Sequence, residues 1–279
     1  MDEPEIKYKV STRRKVMRWA TVIVFIYASA GIALYYLQEK FLFHPDPLPK
    51  DFEFKFKLPF REANIPMNAR DTVNMIQFYP ANVVARGVVL YFHGNRGNVI
   101  RYEKYANNFL KNGYEVWVPD FPTYGKTTGK LSEENMYLQA KEVYNLAHSK
   151  FSADSIIVYG KSLGTGVAAY VAAKKKCRML ILETPYYSIP DLFSSYAPIY
   201  PTGRMSHFKF PVGDYLKDVN APVFIFHGTA DETIPYRGAA KLKKVLKPGD
   251  EFITIENGKH NNLDDYPVFH QKLDSVLNL

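Results

Sequence analysis

The stretch "IIVYGKSLGTGVAAYVAA", Ile156 to Ala173, begins as a β-branched apolar run, turns through Gly160-Lys161-Ser162-Leu163-Gly164 and continues in small helix formers. That order predicts a strand, a tight turn and a helix, with a serine at the sharpest point of the turn. A strained turn needs neighbours without side-chain bulk, which Gly160 and Gly164 supply. Sites in open α/β sheets assemble at the carboxyl ends of strands. Ser162 therefore reads as a nucleophile. The helix behind it would present unsatisfied amides to a developing negative charge, the Leu163 N–H first. The duller reading, a helix-capping serine, has to be weighed against the rest of the chain, because Gly-x-Ser-x-Gly alone is a weak signal.

Beyond Phe60 the chain repeats apolar run, turn and helical pattern. "GVVLYFHG" (Gly87 to Gly94), "YEVWVPD" (Tyr114 to Asp120), "SIIVYG", "MLILE" (Met179 to Glu183), "VFIFHG" (Val223 to Gly228) and "FITIENG" read as strands. Between them, "YEKYANNFLKNG" (Tyr102 to Gly113) has helical spacing and a glycine stop, and Ser132 can cap a helix to about Lys150. The segment from Gly164, "RGAAKLKKVL" and the C-terminal "YPVFHQKLDSVLNL" also read as helices. Apolar strands alternating with helices predict an α/β domain with a mostly parallel central sheet covered on both faces. "DFEFKFKLPF" (Asp51 to Phe60) alternates apolar and charged residues in the manner of an edge strand. There is no internal repeat.

Three further strand ends carry chemistry. "FHGNRGN" (Phe92 to Asn98) closes an early strand in a glycine-rich loop, where the Asn95 N–H is the natural second oxyanion donor. "FHGTADETIP" (Phe226 to Pro235) places Asp231 just past a later strand, and "ENGKHNNL" (Glu256 to Leu263) places His260 just past the last one. Nucleophile, acid and histidine thus follow in the chain order of an α/β-hydrolase. Asp264 and Asp265 compete with Asp231 as the acid, and Asp231 could instead cap the region around Arg237. His93 and His227 compete with His260 but sit in His-Gly strand ends, where orienting a loop is the plainer role; His270 lies inside a helical pattern. His44, between Phe43 and Pro45, reads as local packing.

With "HGN" at 93–95, "GKSLGTGVA" at 160–168, "HGTADETIP" at 227–235 and "GKH" at 258–260, the chain from about Asn64 to Leu279 resembles the α/β-hydrolase superfamily. Within it the chain resembles the single-pass, membrane-anchored hydrolase-domain proteins grouped with serine aminopeptidase-like hydrolases. The resemblance implies a Ser162-Asp231-His260 triad working through an acyl-enzyme, and no cofactor. The motifs are specific for fold and triad and hardly at all for substrate. Many relatives carry an Arg-Gly pair after the strand that ends at Asp120, where this sequence has "DFPTYGKTTG".

From Trp19 to Leu37 the sequence "WATVIVFIYASAGIALYYL" holds nineteen residues without a charge, close to the length that spans a bilayer core. Trp19 and the Tyr35-Tyr36 pair stand where interfacial aromatics are expected, and a buried core helix is the alternative. Lys7, Lys9, Arg13, Arg14, Lys15 and Arg18 precede the segment, so the positive-inside rule predicts a cytoplasmic N-terminus and a catalytic domain across the membrane. "ASAG", Ala28 to Gly31, also fits a signal-peptidase site, and cleavage near Ala30 would secrete the domain; the apolar run continuing to Leu37 argues for an uncleaved anchor. The expected organisation is a basic tail over 1–18, a transmembrane anchor over 19–37, a linker over 38–60 and a catalytic domain over 61–279.

Composition narrows the function. Of 279 residues 47% are hydrophobic and 23% charged, and the net charge of +8 is scattered among acids rather than gathered in a stripe. No nucleic-acid motif accompanies it, so nucleic acid is not an expected partner. The one cysteine, Cys177, excludes an internal disulfide framework. No His-Glu-x-x-His or similar spacing points to a metal, and Gly94-Asn95-Arg96-Gly97 lacks the lysine and Ser/Thr of a phosphate loop. Between Glu183 and Val223 lies the one long insertion, about forty residues rich in aromatics. It predicts a short apolar lip instead of a large cap. Beside a membrane anchor that lip favours acyl or lipid-like esters as substrate. Amide or peptide cleavage on the same triad is the second reading, and a catalytically silent binding scaffold the third, although all three triad members are present.

Overall fold

The structure, a computed structural model, describes residues 12–81 and 83–279. It divides into an N-terminal helical unit ending at Leu42 and a unit Phe43–Leu279. Helix α1, Thr12–Leu42, is longer than the anchor segment at both ends. Its most apolar window has a mean hydropathy of 1.9 and none of it is buried. By length and composition it is able to cross a membrane. The basic tail lies partly outside the described residues: Lys7 and Lys9 precede Thr12.

In the second unit the apolar runs become an eight-stranded sheet: β1 (Phe60–Pro66), β2 (Thr72–Phe78), β3 (Gly87–Phe92), β4 (Tyr114–Pro119), β5 (Ile156–Lys161), β6 (Met179–Glu183), β7 (Val223–Gly228) and β8 (Glu251–Ile255). The spatial order is β8-β7-β6-β5-β3-β4-β2-β1. From β8 to β4 all neighbours are parallel, whereas β2 is antiparallel to both β4 and β1. Every residue of β3, β5, β6 and β7 is buried, which explains why these strands are apolar along most of their length. Tyr91, Tyr159, Phe226 and Ile255 join one core cluster with Phe109 of helix α2 (Glu103–Leu110) and Phe269 of helix α9 (Pro267–Leu277).

Helices α3 (Glu133–His148), α4 (Gly164–Lys174) and α7 (Val212–Asp218) pack on one another. Tyr137 of α3 stacks on Tyr170 of α4 at 3.9 Å, and its hydroxyl lies 3.2 Å from that of Tyr215 in α7. Ser132 accepts the Asn135 N–H at 3.2 Å, the cap the sequence predicts; such a cap contributes about 1 kcal/mol. The insertion folds into α5 (Ile189–Tyr196), α6 (Thr202–Met205) and α7. Its centre is tied to α3, because the Glu133 carboxylate accepts the Lys209 and Phe210 N–H groups at 2.5 and 3.0 Å.

Three local expectations change. Residues 38–60 divide: the chain is helical to Leu42, and from Phe43 onward it belongs to the compact unit. The edge strand expected over Asp51–Phe60 does not form. Lys57 and Leu58 give their N–H groups to the Glu103 carboxylate, Phe54 is buried, and pairing begins only at Phe60. Alternation there encodes aromatic packing: Phe54 stacks on Phe56, which meets Phe78 edge to face. The helix expected over Arg237–Leu246 is one α-helical turn, α8 (Tyr236–Ala239), tightening into a 3-10 segment, Ala240–Val245, that buries Leu242.

Candidate active site

At the end of β5 the chain reverses at Ser162, whose φ of 51° lies in the left-handed region that costs a non-glycine residue strain. The turn is held by the Ser162 N–H, which donates to the Glu183 carbonyl at 2.9 Å, and by the Ser162 carbonyl, which accepts from the Thr165 N–H at 3.0 Å. Both flanking glycines are required by space. A Cβ on Gly164 would collide with the Phe92 carbonyl oxygen, and one on Gly160 would come within 2.6 Å of the Gly164 oxygen. Helix α4 starts at Gly164 with Leu163 as its N-terminal cap, so the turn points the serine out ahead of the helix.

Two more loops meet Ser162. Gly228 and Gly258 touch, since a Cβ on Gly228 would collide with the Gly258 oxygen, and the Ala230 N–H donates to that oxygen at 3.0 Å. These contacts bring the loops after β7 and β8 together. Asp231 Oδ1 accepts the Thr233 and Ile234 N–H groups at 2.9 and 2.7 Å, which shapes the loop ahead of α8; the cap that the sequence allowed for the Arg237 region does not form, because α8 follows Pro235 with no side-chain cap. Its Oδ2 lies 2.8 Å from His260 Nδ1, and His260 Nε2 lies 2.9 Å from Ser162 Oγ. A carboxylate only accepts, so Nδ1 carries the proton and Nε2 is left to accept the serine O–H. Ser162, Asp231 and His260 are 9, 6 and 9% exposed, so all three are largely shielded from bulk water.

Of the competing residues, Asp264, Asp265, His270 and His93 are engaged with other partners, whereas His227 stands behind Asp231, its Nε2 3.5 Å from Asp231 Oδ2. Asp264 accepts from Asn108 Nδ2 at 2.6 Å, and its carbonyl is 2.7 Å from His270 Nε2. The Asp265 N–H donates to the Asn262 carbonyl. His227, wholly buried, gives its Nε2–H to the Ile234 carbonyl at 2.9 Å, and burial lowers its pKa. His93 gives Nδ1–H to the Gly94 carbonyl at 2.7 Å, and its Nε2 lies 3.2 Å from Asp120, whose pKa is raised by burial. Gly94 backs onto the serine: a Cβ there would stand 3.6 Å from the Ser162 Cβ, which sets Asn95 beside the site. Among the described residues no cluster of three His, Cys, Asp or Glu could hold a metal.

Some neighbours of the site have no counterpart in the sequence reading. The Lys161 ammonium pairs with the Glu183 carboxylate, which also accepts the Tyr159 hydroxyl, all buried behind Ser162. The available signal was a single charge at the end of each of two otherwise apolar strands. A cavity of about 340 Å³ opens between α5 and α8, lined by Tyr186, Leu192, Ile234, Arg237 and Lys241 among others; Ser162 and His260 do not line it.

Comparison with known proteins places this geometry in context. Residues 87–221 match the family described as alpha/beta hydrolase fold. Alpha/beta hydrolase domain-containing protein 17C of Xenopus tropicalis is 26% identical over 200 residues, 69% of this chain and 62% of that protein. The Homo sapiens protein of the same description is 25% identical over 223 residues, 77% of this chain and 65% of its own. The chain thus matches somewhat less than two thirds of these relatives' length. Among solved structures, the Pyrococcus furiosus esterase Pf2001 superposes with a TM-score of 0.67 at 16% identity, covering 85% of this chain and 97% of that one. A soluble variant of monoglyceride lipase from Saccharomyces cerevisiae gives 0.61 at 15%, covering 83% and 98%. At these identities the structural likeness speaks for the fold.

Proposed function

We propose that the chain is a serine hydrolase of the α/β-hydrolase superfamily, cleaving carboxylic esters; the family match over residues 87–221 and the hydrolase-domain relatives support this reading. The observation that carries this reading is the unbroken line of contacts, 2.9 Å from Ser162 Oγ to His260 Nε2 and 2.8 Å from His260 Nδ1 to Asp231 Oδ2. His260 takes the Ser162 proton as Oγ attacks the ester carbonyl. Asp231 holds the imidazole tautomer and stabilises the imidazolium. The tetrahedral oxyanion is received by the Leu163 N–H, at the head of α4, and by the Asn95 N–H. His260 then protonates the departing alkoxide, and water activated by the same imidazole releases the acid from the acyl-serine.

Acyl or lipid-like esters are the substrate class the surroundings favour. The insertion beside the site exposes Tyr196 and Ile199 at 58 and 69%, an apolar lip suited to chains partitioning from a bilayer. Helix α1 is the matching anchor, with Arg13, Arg14, Lys15 and Arg18 on its N-terminal side assigning that end to the cytoplasm. The test is hydrolysis of p-nitrophenyl esters of increasing chain length by the full chain in detergent. Rising kcat/KM from acetate to octanoate supports the lipid-like class, and a flat or falling series removes it.

A further inference from the structure

Immediately after α1, His44 and Pro45 run parallel to Arg96 and Gly97, the loop that follows Gly94 and Asn95. The Asn95 carbonyl accepts two bonds, from the His44 N–H at 2.9 Å and from the Tyr124 hydroxyl at 2.8 Å. The same His44 N–H lies 3.2 Å from the Tyr124 oxygen, closing a triangle around that carbonyl. On either side the loop is bound as well: Gly94 by His93, Arg96 by the Tyr102 hydroxyl at 3.1 Å, and Gly97 by the Asp46 N–H at 3.3 Å. Four successive carbonyls thus have donors.

We propose that residues 43–48 are a strap that positions the oxyanion loop, with the His44 N–H and the Tyr124 hydroxyl as its positioning groups. A peptide unit is planar and trans, so its C=O and N–H point in opposite directions. The His93 bond to the Gly94 carbonyl sets the direction of the Asn95 N–H. The bonds to the Asn95 carbonyl fix the next plane, leaving the dihedrals between them little slack. The strap is itself fastened independently of this loop. Asp46 accepts the Gly125 N–H at 3.2 Å, the Leu48 N–H donates to the Gly125 carbonyl at 2.8 Å, and Phe43 packs edge-on against Phe208 of the insertion at 4.7 Å. Tyr124 is fully buried, so its hydroxyl is held in place by packing. Productive oxyanion geometry tolerates only about 0.5 Å of error, and the strap supplies part of that precision.

This assignment rests on the serine-hydrolase reading and on Asn95 as an oxyanion donor. Its test uses the full chain in detergent with two variants. His44→Pro removes the N–H that His44→Ala keeps, and Tyr124→Phe removes the hydroxyl. For p-nitrophenyl butyrate, His44→Pro is expected to fall about ten- to a hundredfold in kcat below His44→Ala. Tyr124→Phe is expected to fall similarly below the parent. KM should stay within about twofold, and fluorophosphonate labelling should slow in parallel with kcat. An active parent whose two variants keep its kcat, or lose activity only in proportion to unfolded protein in a thermal melt, overturns the strap alone. A folded parent that neither labels nor hydrolyses overturns the hydrolase reading and the strap with it.

Discussion

Lys161 and Glu183 form an ion pair with side chains only 4 and 2% exposed, at the ends of adjacent strands immediately behind the Ser162 turn. Charges this deeply placed depend on each other, since either one left alone would be buried without compensation. Lys161→Met is therefore expected to lower unfolding free energy by about 3–5 kcal/mol. The double variant Lys161→Met with Glu183→Gln, which keeps an acceptor for Tyr159, should recover most of it. Urea unfolding of the three proteins checks this; a double variant no more stable than the single would show that the two charges are uncoupled.

Gly164 faces the Phe92 and His93 carbonyls too closely for any side chain. Gly164→Ala should force β3 and the start of α4 apart. The expected cost is at least the roughly 1–3 kcal/mol typical of overpacking, with loss of hydrolase activity exceeding the loss of folded protein. Circular dichroism melts set beside kcat measure both. A Gly164→Ala variant with parental stability and activity would contradict the crowded turn.

His227 links stability to pH. Burial lowers its pKa below the usual 6.5 or so, and among the described residues its Nδ1 has no partner to receive a proton's hydrogen bond. Below about pH 6.5 the unfolded chain binds a proton there that the native chain refuses, so this residue's contribution to stability is present above that pH and is lost as pH falls. His227→Gln should be less stable at neutral pH, yet lose stability less steeply between about pH 6.5 and 5. One group accounts for a slope of at most about 1.4 kcal/mol per pH unit. Urea midpoints across that range decide it, and parallel slopes for the two proteins would refute the assignment.

Cys177 is shielded. Burial pushes its thiol up to about 12, so little thiolate exists near neutral pH. Iodoacetamide at pH 8 is expected to modify the native protein about a hundredfold more slowly than the urea-unfolded chain. Equal rates would show an open, ordinary thiol.

Much of this architecture was legible in the sequence because local rules and tertiary packing agree along the parallel strands. "MLILE" and "VFIFHG" coincide with β6 and β7 to the residue, both faces of those strands being covered. The strand that does not form over Asp51–Phe60 shows where the rule fails: alternation specifies which side chains face a surface, and aromatic packing met it without a ladder. The Ser162, Asp231 and His260 positions were readable because each follows a strand and a small residue that crowding demands. Lys161, Glu183, His44 and Tyr124 were not, because their roles come from partners 22 to 80 residues away in the chain. No local pattern encodes those pairings.

The central claim is an activated Ser162, and fluorophosphonate labelling of the purified full chain in detergent tests it most directly. The parent protein is predicted to take up one probe per chain, with Ser162→Ala unlabelled and His260→Ala slowed by orders of magnitude. Equal labelling of the Ser162→Ala variant, or none of a demonstrably folded parent, would contradict it.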